Sequence, residues 1–252
     1  MAAKPRLTIA YSVLAGGFDN LSFPAARADT EILVIVQGKG GAITTRDDIR
    51  VIRLDSAGVT KSRNEAIRQA AGEVLVFGEE SVEWKRDGLD EIFAIFDDNP
   101  RIAVVLGRAE DETGALRKRY PSYREPATVW NSARVGTIEL AVRPAELLRK
   151  GVAFDENFGA GTPNFLGDEY ILVADANLAG LRCEYFPVTL SIHPRESSGI
   201  GFGTVWDARA RSRVFGRVFG WFAVVPRLLL WLRNPVRFGR FGFAFVFGWF
   251  RD

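Results

Sequence analysis

The stretch that most constrains the fold is Ser62 to Glu83, SRNEAIRQAAGEVLVFGEESVE. Ser62 followed three residues later by Glu65 has the spacing of a capping box, which predicts a helix beginning near Arg63. Gly72 stops that helix. Val74 to Phe77 is a four-residue apolar run, too short for a helix and suited to a central parallel strand. Gly78 then frees the backbone, and Glu79, Glu80 and Ser81 fall just past the carboxyl end of the strand. Open α/β sheets bind ligands at that edge. Carboxylates there suit Mg²⁺ or Mn²⁺ carrying a phosphorylated ligand, because both ions favour oxygen donors.

The same alternation extends along the chain. Leu7–Leu14, Ile32–Val36 and Arg50–Leu54 read as strands. Leu89–Phe96 reads as a helix with Ile92, Phe93, Ile95 and Phe96 on its apolar face, ended by Pro100, and Ile102–Leu106 as the next strand. Alternating strands and helices predict a parallel-rich sheet covered on both faces. Glu110 to Thr128 is polar, with Arg117, Lys118 and Arg119 clustered, and reads as a surface loop. Thr137–Val142 is predicted to be a strand, and Pro144 suits the first turn of a short helix. A Gly-rich loop, FDENFGAGTPNFLGDEY, leads into a helix from about Glu169 to Leu178, and Cys183–Ile192 supplies one or two strands ending at His193.

Charge divides the chain in two. From Arg209 to Asp252 there are nine Arg, no Lys and one acid, a charge of +8 against a whole-chain +2, which leaves −6 on the preceding 208 residues. The same segment holds nine Phe and three Trp. Arg with Trp and Phe flanking short apolar runs is the pattern of a helix lying at a membrane surface, with Pro226 and Pro235 breaking it into pieces. No segment reaches the roughly 20 consecutive apolar residues of a bilayer span. The tail is too apolar, and the body too acidic, for nucleic acid. The opening MAAKPRLTIAYSVLAGG reads as a first strand rather than a signal peptide, its apolar stretch being short and interrupted. The lone Cys183 excludes an intrachain disulfide and fits a reducing compartment.

Three segments together resemble the family 2 glycosyltransferases, which have the GT-A fold. SRNEAIRQAAGEVLVF resembles the family's Arg-Asn helix and apolar strand. FDENFG followed by GDEY resembles its FDE-x-FG and GED segments, and SIHPRESSG its closing strand and Ser-rich turn. The similarity covers roughly residues 5 to 200 and implies an α/β, Rossmann-like mixed sheet flanked by helices. A GT-A domain over 1–203 would then precede the helical basic-aromatic tail, 204–252.

The resemblance implies inverting transfer of a sugar from a nucleotide-sugar donor to a glycan acceptor. Glu169 would be the base and Asp168 its neighbour, because the chemistry needs a carboxylate beside the acceptor hydroxyl. Arg63 and Asn64 match the family's donor-side pair, Gln37 ends the second strand where relatives contact the base, and Gly161 belongs to the loop facing the donor sugar. Arg195 and Ser197 are implied acceptor or phosphate contacts. Glu79, Glu80 and His193 are the implied ligands of Mn²⁺ or Mg²⁺. The family's D-x-D reads Glu79-Glu80-Ser81 here, a departure in both side-chain length and charge. With the basic tail, the expectation is a cytoplasmic enzyme peripheral on the inner face of the cell membrane, acting on a lipid-linked acceptor, with homo-oligomerisation open.

Two rival readings remain. A GT-A-like domain without catalysis, serving as a membrane-associated partner, is kept open by the Glu-Glu-Ser departure. A nucleotidyltransferase would show a basic phosphate-binding loop near the N-terminus, which LAGGFDN lacks. The run Gly38–Gly41 is no phosphate fingerprint, having neither GxGxxG nor a following Lys-Ser/Thr.

Overall fold

The computed structural model describes residues 4–40, 44, 46–194 and 203–250. Its nine strands are β1 (Leu7–Leu14), β2 (Thr30–Gln37), β3 (Ile49–Leu54), β4 (Val74–Gly78), β5 (Glu83–Trp84), β6 (Ile102–Glu110), β7 (Glu125–Pro126), β8 (Leu140–Val142) and β9 (Arg182–Ile192). They form one sheet in the order β3-β2-β1-β4-β8-β6-β9-β5, with β7 beside β9. The β3, β2, β1 and β4 ladders are parallel, whereas β8 runs antiparallel to both β4 and β6. Parallel strands end at one edge, so the turns after β1, β2, β3 and β4 gather there.

Side chains on successive strand residues point to opposite faces, and each face has its own core. Val34, Val36 and Val76 share one side with Ile92 and Phe96 of α2 (Arg86–Asp98). Leu33, Ile35, Leu75 and Phe77 share the other with Ile67 of α1 (Val59–Gln69), Leu147 of α3 (Pro144–Lys150) and Leu172 of α4 (Asp168–Leu178). Pro144 occupies the first turn of α3 as expected.

Four local expectations change. First, α1 starts at Val59, not near Arg63, so the Ser62/Glu65 capping box does not form. Gly58, at φ +112°, turns the chain into the helix, and Val59 N–H donates to Ala160 O at 3.1 Å. Ser62 is instead buried inside the helix with no partner for its hydroxyl among the described residues, and Glu65 accepts from Arg68 and Gln69. Second, Thr137–Glu139 is a 3-10 turn, and only Leu140–Val142 is strand. Third, the polar segment 110–128 contributes β7 to the sheet rather than remaining wholly loop. Fourth, Pro226 does not break the tail. It sits in the first turn of α6 (Val224–Arg233), where a missing N–H costs no hydrogen bond. The breaks fall at Gly220, Asn234 and Gly239, between α5 (Val205–Phe219), α6, α7 (Pro235–Phe238) and α8 (Gly242–Phe247).

Helix α5 belongs in space to the body. Arg217 pairs with Asp155 and Asp175, each at 2.7 Å, and Val214 is buried with Phe158, Tyr170 and Ile171. The chain then turns at Gly220 (φ +57°).

Candidate functional site

The sequence motifs meet at the carboxyl edge of the sheet around one guanidinium. Arg63, one turn into α1, is 5% exposed. It forms a short ion pair with Asp168, and reaches Glu169 Oε1 and Glu79 Oε1 at 3.3 Å each. Glu79 comes from the end of β4, and Asp168 and Glu169 from the first turn of α4. Three carboxylates from two distant segments thus converge on a single cation, at a helix N-terminus whose dipole favours negative charge.

The two α4 carboxylates are driven apart in acidity. Burial, reinforced by the neighbouring Glu169 charge, raises the Asp168 carboxyl above its ordinary range despite Arg63. Burial also acts to raise Glu169, but Arg63, the Thr137 hydroxyl and nearby N–H groups outweigh it and hold that carboxyl below its usual value. Thr137 donates a short hydrogen bond to Glu169. The Glu169 side chain is 14% exposed against 5% for Asp168, so Glu169 is the more reachable member. Environments that separate the acidities of a carboxyl pair are how such pairs acquire different roles.

The loop facing this cluster is stitched to α1. The Asn64 side-chain amide donates to Phe154 O at 3.0 Å and to Glu156 Oε1 at 3.1 Å, and its carbonyl oxygen accepts from Phe154 N–H at 2.8 Å. That amide is committed to the FDE segment, so Asn64 holds the loop in position. Thr60 donates its hydroxyl to Phe158 O at 3.2 Å. Gly159 and Gly161 both have positive φ, +94° and +88°. Gly167, at φ +86°, lies so close under Val214 of α5 that a side chain there would collide with it. Gln37 is 5% exposed and donates to Gly58 O at 3.1 Å, fixing the turn that opens α1.

The residues expected to hold a metal are not assembled into a cage. Glu79 faces Arg63, whereas Glu80 lies directly over Gly17 in the turn after β1. His193, at the end of β9, donates its backbone N–H to Glu110 O at 3.0 Å, and its Nδ1 lies 2.8 Å from Pro194 O. Among the described residues, no group of three His, Cys, Asp or Glu side chains is placed to hold an ion. Glu79, with its side chain 43% exposed, and the exposed Glu80 are the oxygen donors still open to one. Ser81 sits at φ +64° in the turn that separates Glu79 from Val82. Arg195 and Ser197 lie outside the described residues.

Sequence reasoning missed Thr137, which it placed in a strand, and the buried Glu139 beneath it. Glu139 accepts from Tyr120 at 2.7 Å and pairs with Lys118 at 2.8 Å. No spacing relates these residues to the α4 motif; only the fold brings Thr137 to Glu169.

The mixed sheet with its parallel N-terminal half has a GT-A-like fold. No family model and no curated protein matches the chain. Among solved structures it is similar to S. aureus TarS, with a TM-score of 0.59 at 16% identity, covering 93% of this chain and 44% of that one. The 1-349 segment of S. aureus TarS in complex with UDP-GlcNAc gives 0.57 at 14% identity, covering 89% and 70%. The same segment with UDP gives 0.54 at 15%, covering 89% and 69%. The chain thus spans less than half the length of the first of these.

Proposed function

We propose that this chain is a family 2-type glycosyltransferase that moves a sugar, with inversion, from a nucleoside-diphosphate donor to a hydroxyl of a glycan acceptor. The observation that carries the reading is the meeting of Glu79, Asp168 and Glu169 on Arg63 at the sheet's carboxyl edge. The shared fold with a protein solved in complex with UDP-GlcNAc and UDP makes uridine nucleotides the first donors to test.

In this reading Glu169 accepts the proton of the acceptor hydroxyl. The oxygen forms its bond to the anomeric carbon as the bond to the diphosphate breaks, and the nucleoside diphosphate leaves with that electron pair. Arg63 keeps Glu169 ionised and oriented, with Thr137 fixing the same oxygen. Asp168, held by burial closer to its neutral form, limits the negative charge the diphosphate meets. A divalent ion arriving with the donor would be held at Glu79 and would neutralise charge on the departing diphosphate.

The test is thermal stability of the purified protein against UDP, GDP and dTDP sugars and their diphosphates, with and without Mn²⁺. A ligand that binds only the native state adds about 2.7 kcal/mol at a hundredfold excess over Kd. A nucleotide-specific shift is expected, with Mn²⁺ effective only when nucleotide is present. No shift with any nucleotide sugar would favour instead a non-catalytic GT-A-like partner, a reading that the divergence of Glu79 and Glu80 supports.

A further inference from the structure

Helix α6 is amphipathic in the reverse sense. Val224, Leu228 and Leu232 lie along one side with Val225 and Leu229, and all five are exposed. The one charged residue in the middle of the helix, Arg227, points inward and is only 9% exposed. A helix on a water-facing surface shows the opposite arrangement. Other large apolar side chains of the tail are exposed too, Trp221 at 92%, Val236 at 91% and Trp249 at 68%. Trp249 also gathers with the exposed Phe243 and Phe247, at ring separations of 5.7 and 5.4 Å. So many large apolar side chains exposed within one short segment mark an interaction site.

The face is built rather than loose. Arg227 donates to Ser212 O at 2.6 and 3.1 Å and to Val246 O at 3.4 Å, tying α6 to both α5 and α8. Ser212 donates to Phe245 O at 3.0 Å, and Phe238 stacks on Phe245 at 4.1 Å. Through Arg217, α5 fastens the whole unit to Asp155 and Asp175 of the body.

We propose that the outward face of α6 to α8 is a docking surface for an anionic lipid bilayer. Charge decides the occupant. Arg233 and Arg240 are exposed in the same segment, and no Asp or Glu occurs between Asp207 and Asp252. A second copy of the chain would set arginines against arginines. A bilayer receives the Trp, Phe and Leu side chains at the headgroup boundary and offers lipid phosphates to the guanidinium groups.

Among the described residues, Val205–Arg233 is long and apolar enough to cross a membrane by length and composition, with a mean hydropathy of 1.4 over its best stretch. Its geometry is against crossing. The backbone turns at Gly220, and Arg213 and Arg217 are bonded to body residues at the α5 end. The bilayer contact stands apart from the transferase reading. Only its corollary, that the glycan acceptor is lipid-linked, rests on that reading.

The experiment is flotation of the full chain with phosphatidylcholine vesicles, with and without phosphatidylglycerol. The protein is expected to float with the anionic vesicles, to be released by high salt or alkaline carbonate, and to stay behind with the neutral ones. Trp221→Ser/Leu229→Ser/Leu232→Ser should weaken binding more than tenfold. Arg233→Glu/Arg240→Glu should abolish the preference for anionic lipid. Both sets change exposed side chains, and an unchanged thermal midpoint confirms that each variant is folded. Equal flotation with neutral vesicles, or binding that survives carbonate, overturns the proposal. So does a dimer in light scattering that the triple serine variant dissolves, since a second copy would then cover the face.

Discussion

Among the described residues two arginines are buried, Arg63 and Arg227, and they are solvated in opposite ways. Arg63 faces the carboxylates of Glu79, Asp168 and Glu169, and they raise its already high proton affinity despite burial. Arg227 faces the backbone carbonyl oxygens of Ser212 and Val246, and burial lowers its proton affinity. The first is a charge among charges at the edge where the parallel strands end. The second is a charge used as a multi-pronged donor that staples three helices together. A buried ion pair is costly to break because the partner left behind keeps its charge. A buried arginine on carbonyls leaves only dipoles behind. Function therefore belongs to the first and shape to the second.

The largest effect expected is catalytic. Glu169→Gln removes the proposed proton acceptor while keeping its size, and should lower transfer by roughly 10²- to 10⁴-fold. The midpoint shift produced by UDP should be unchanged, because the base meets the acceptor rather than the nucleotide. Activity and thermal shift measured on one preparation check this, and a lost UDP shift would move Glu169 to the donor side.

Next in size is Arg63→Met. It strands three carboxylates around an apolar side chain and should cost on the order of 3–5 kcal/mol in urea unfolding. Arg227→Met leaves unbonded carbonyls and should cost about 1–3 kcal/mol. If the second variant proved the more damaging, the contrast between the two arginines would fail. Asn64→Ala belongs between them. It frees the buried backbone of Phe154 and should raise the donor KM through a misplaced 154–161 loop.

The frame of the site was legible in the sequence because it rests on short, local signals. The apolar run Val74–Phe77, the acids that follow it and the GDEY segment each mark a strand end or a helix start, and all three meet on the structure's carboxyl edge. The fold class follows from the same alternation and agrees with the solved neighbours. What failed was local chemistry overridden by distant backbone. The Ser62/Glu65 spacing is that of a cap, yet Gly58 and the carbonyl of Ala160, a hundred residues on, supply the start of α1 instead. Thr137 could not be found because its partner Glu169 lies in another segment. In the tail, composition gave the basic-aromatic character, but not that Arg227 turns inward while leucines turn out. Nor did it show that α5 joins the body: that needs Asp155 and Asp175 to be in place.

The subtlest way to sharpen the comparison is pH. The raised Asp168 carboxyl means that, above the ordinary carboxylate range, the folded chain retains a proton the unfolded chain has released. Stability then falls as pH rises, until folded Asp168 ionises as well. Glu169 runs the other way: its lowered pKa contributes stability above the unfolded value that is lost as pH falls through the folded one. Asp168→Asn removes the first slope and keeps the second, so its urea midpoint should decline less than that of the parent on moving from weakly acidic to neutral pH. Arg227→Met removes no titrating partner, so its curve should run parallel to the parent's at a lower level. A flattened curve in Arg227→Met would mean that the tail senses protons too. A parallel curve in Asp168→Asn would mean that Arg63 holds Asp168 ionised throughout, making the cluster a static ion pair rather than a carboxyl pair divided by its surroundings.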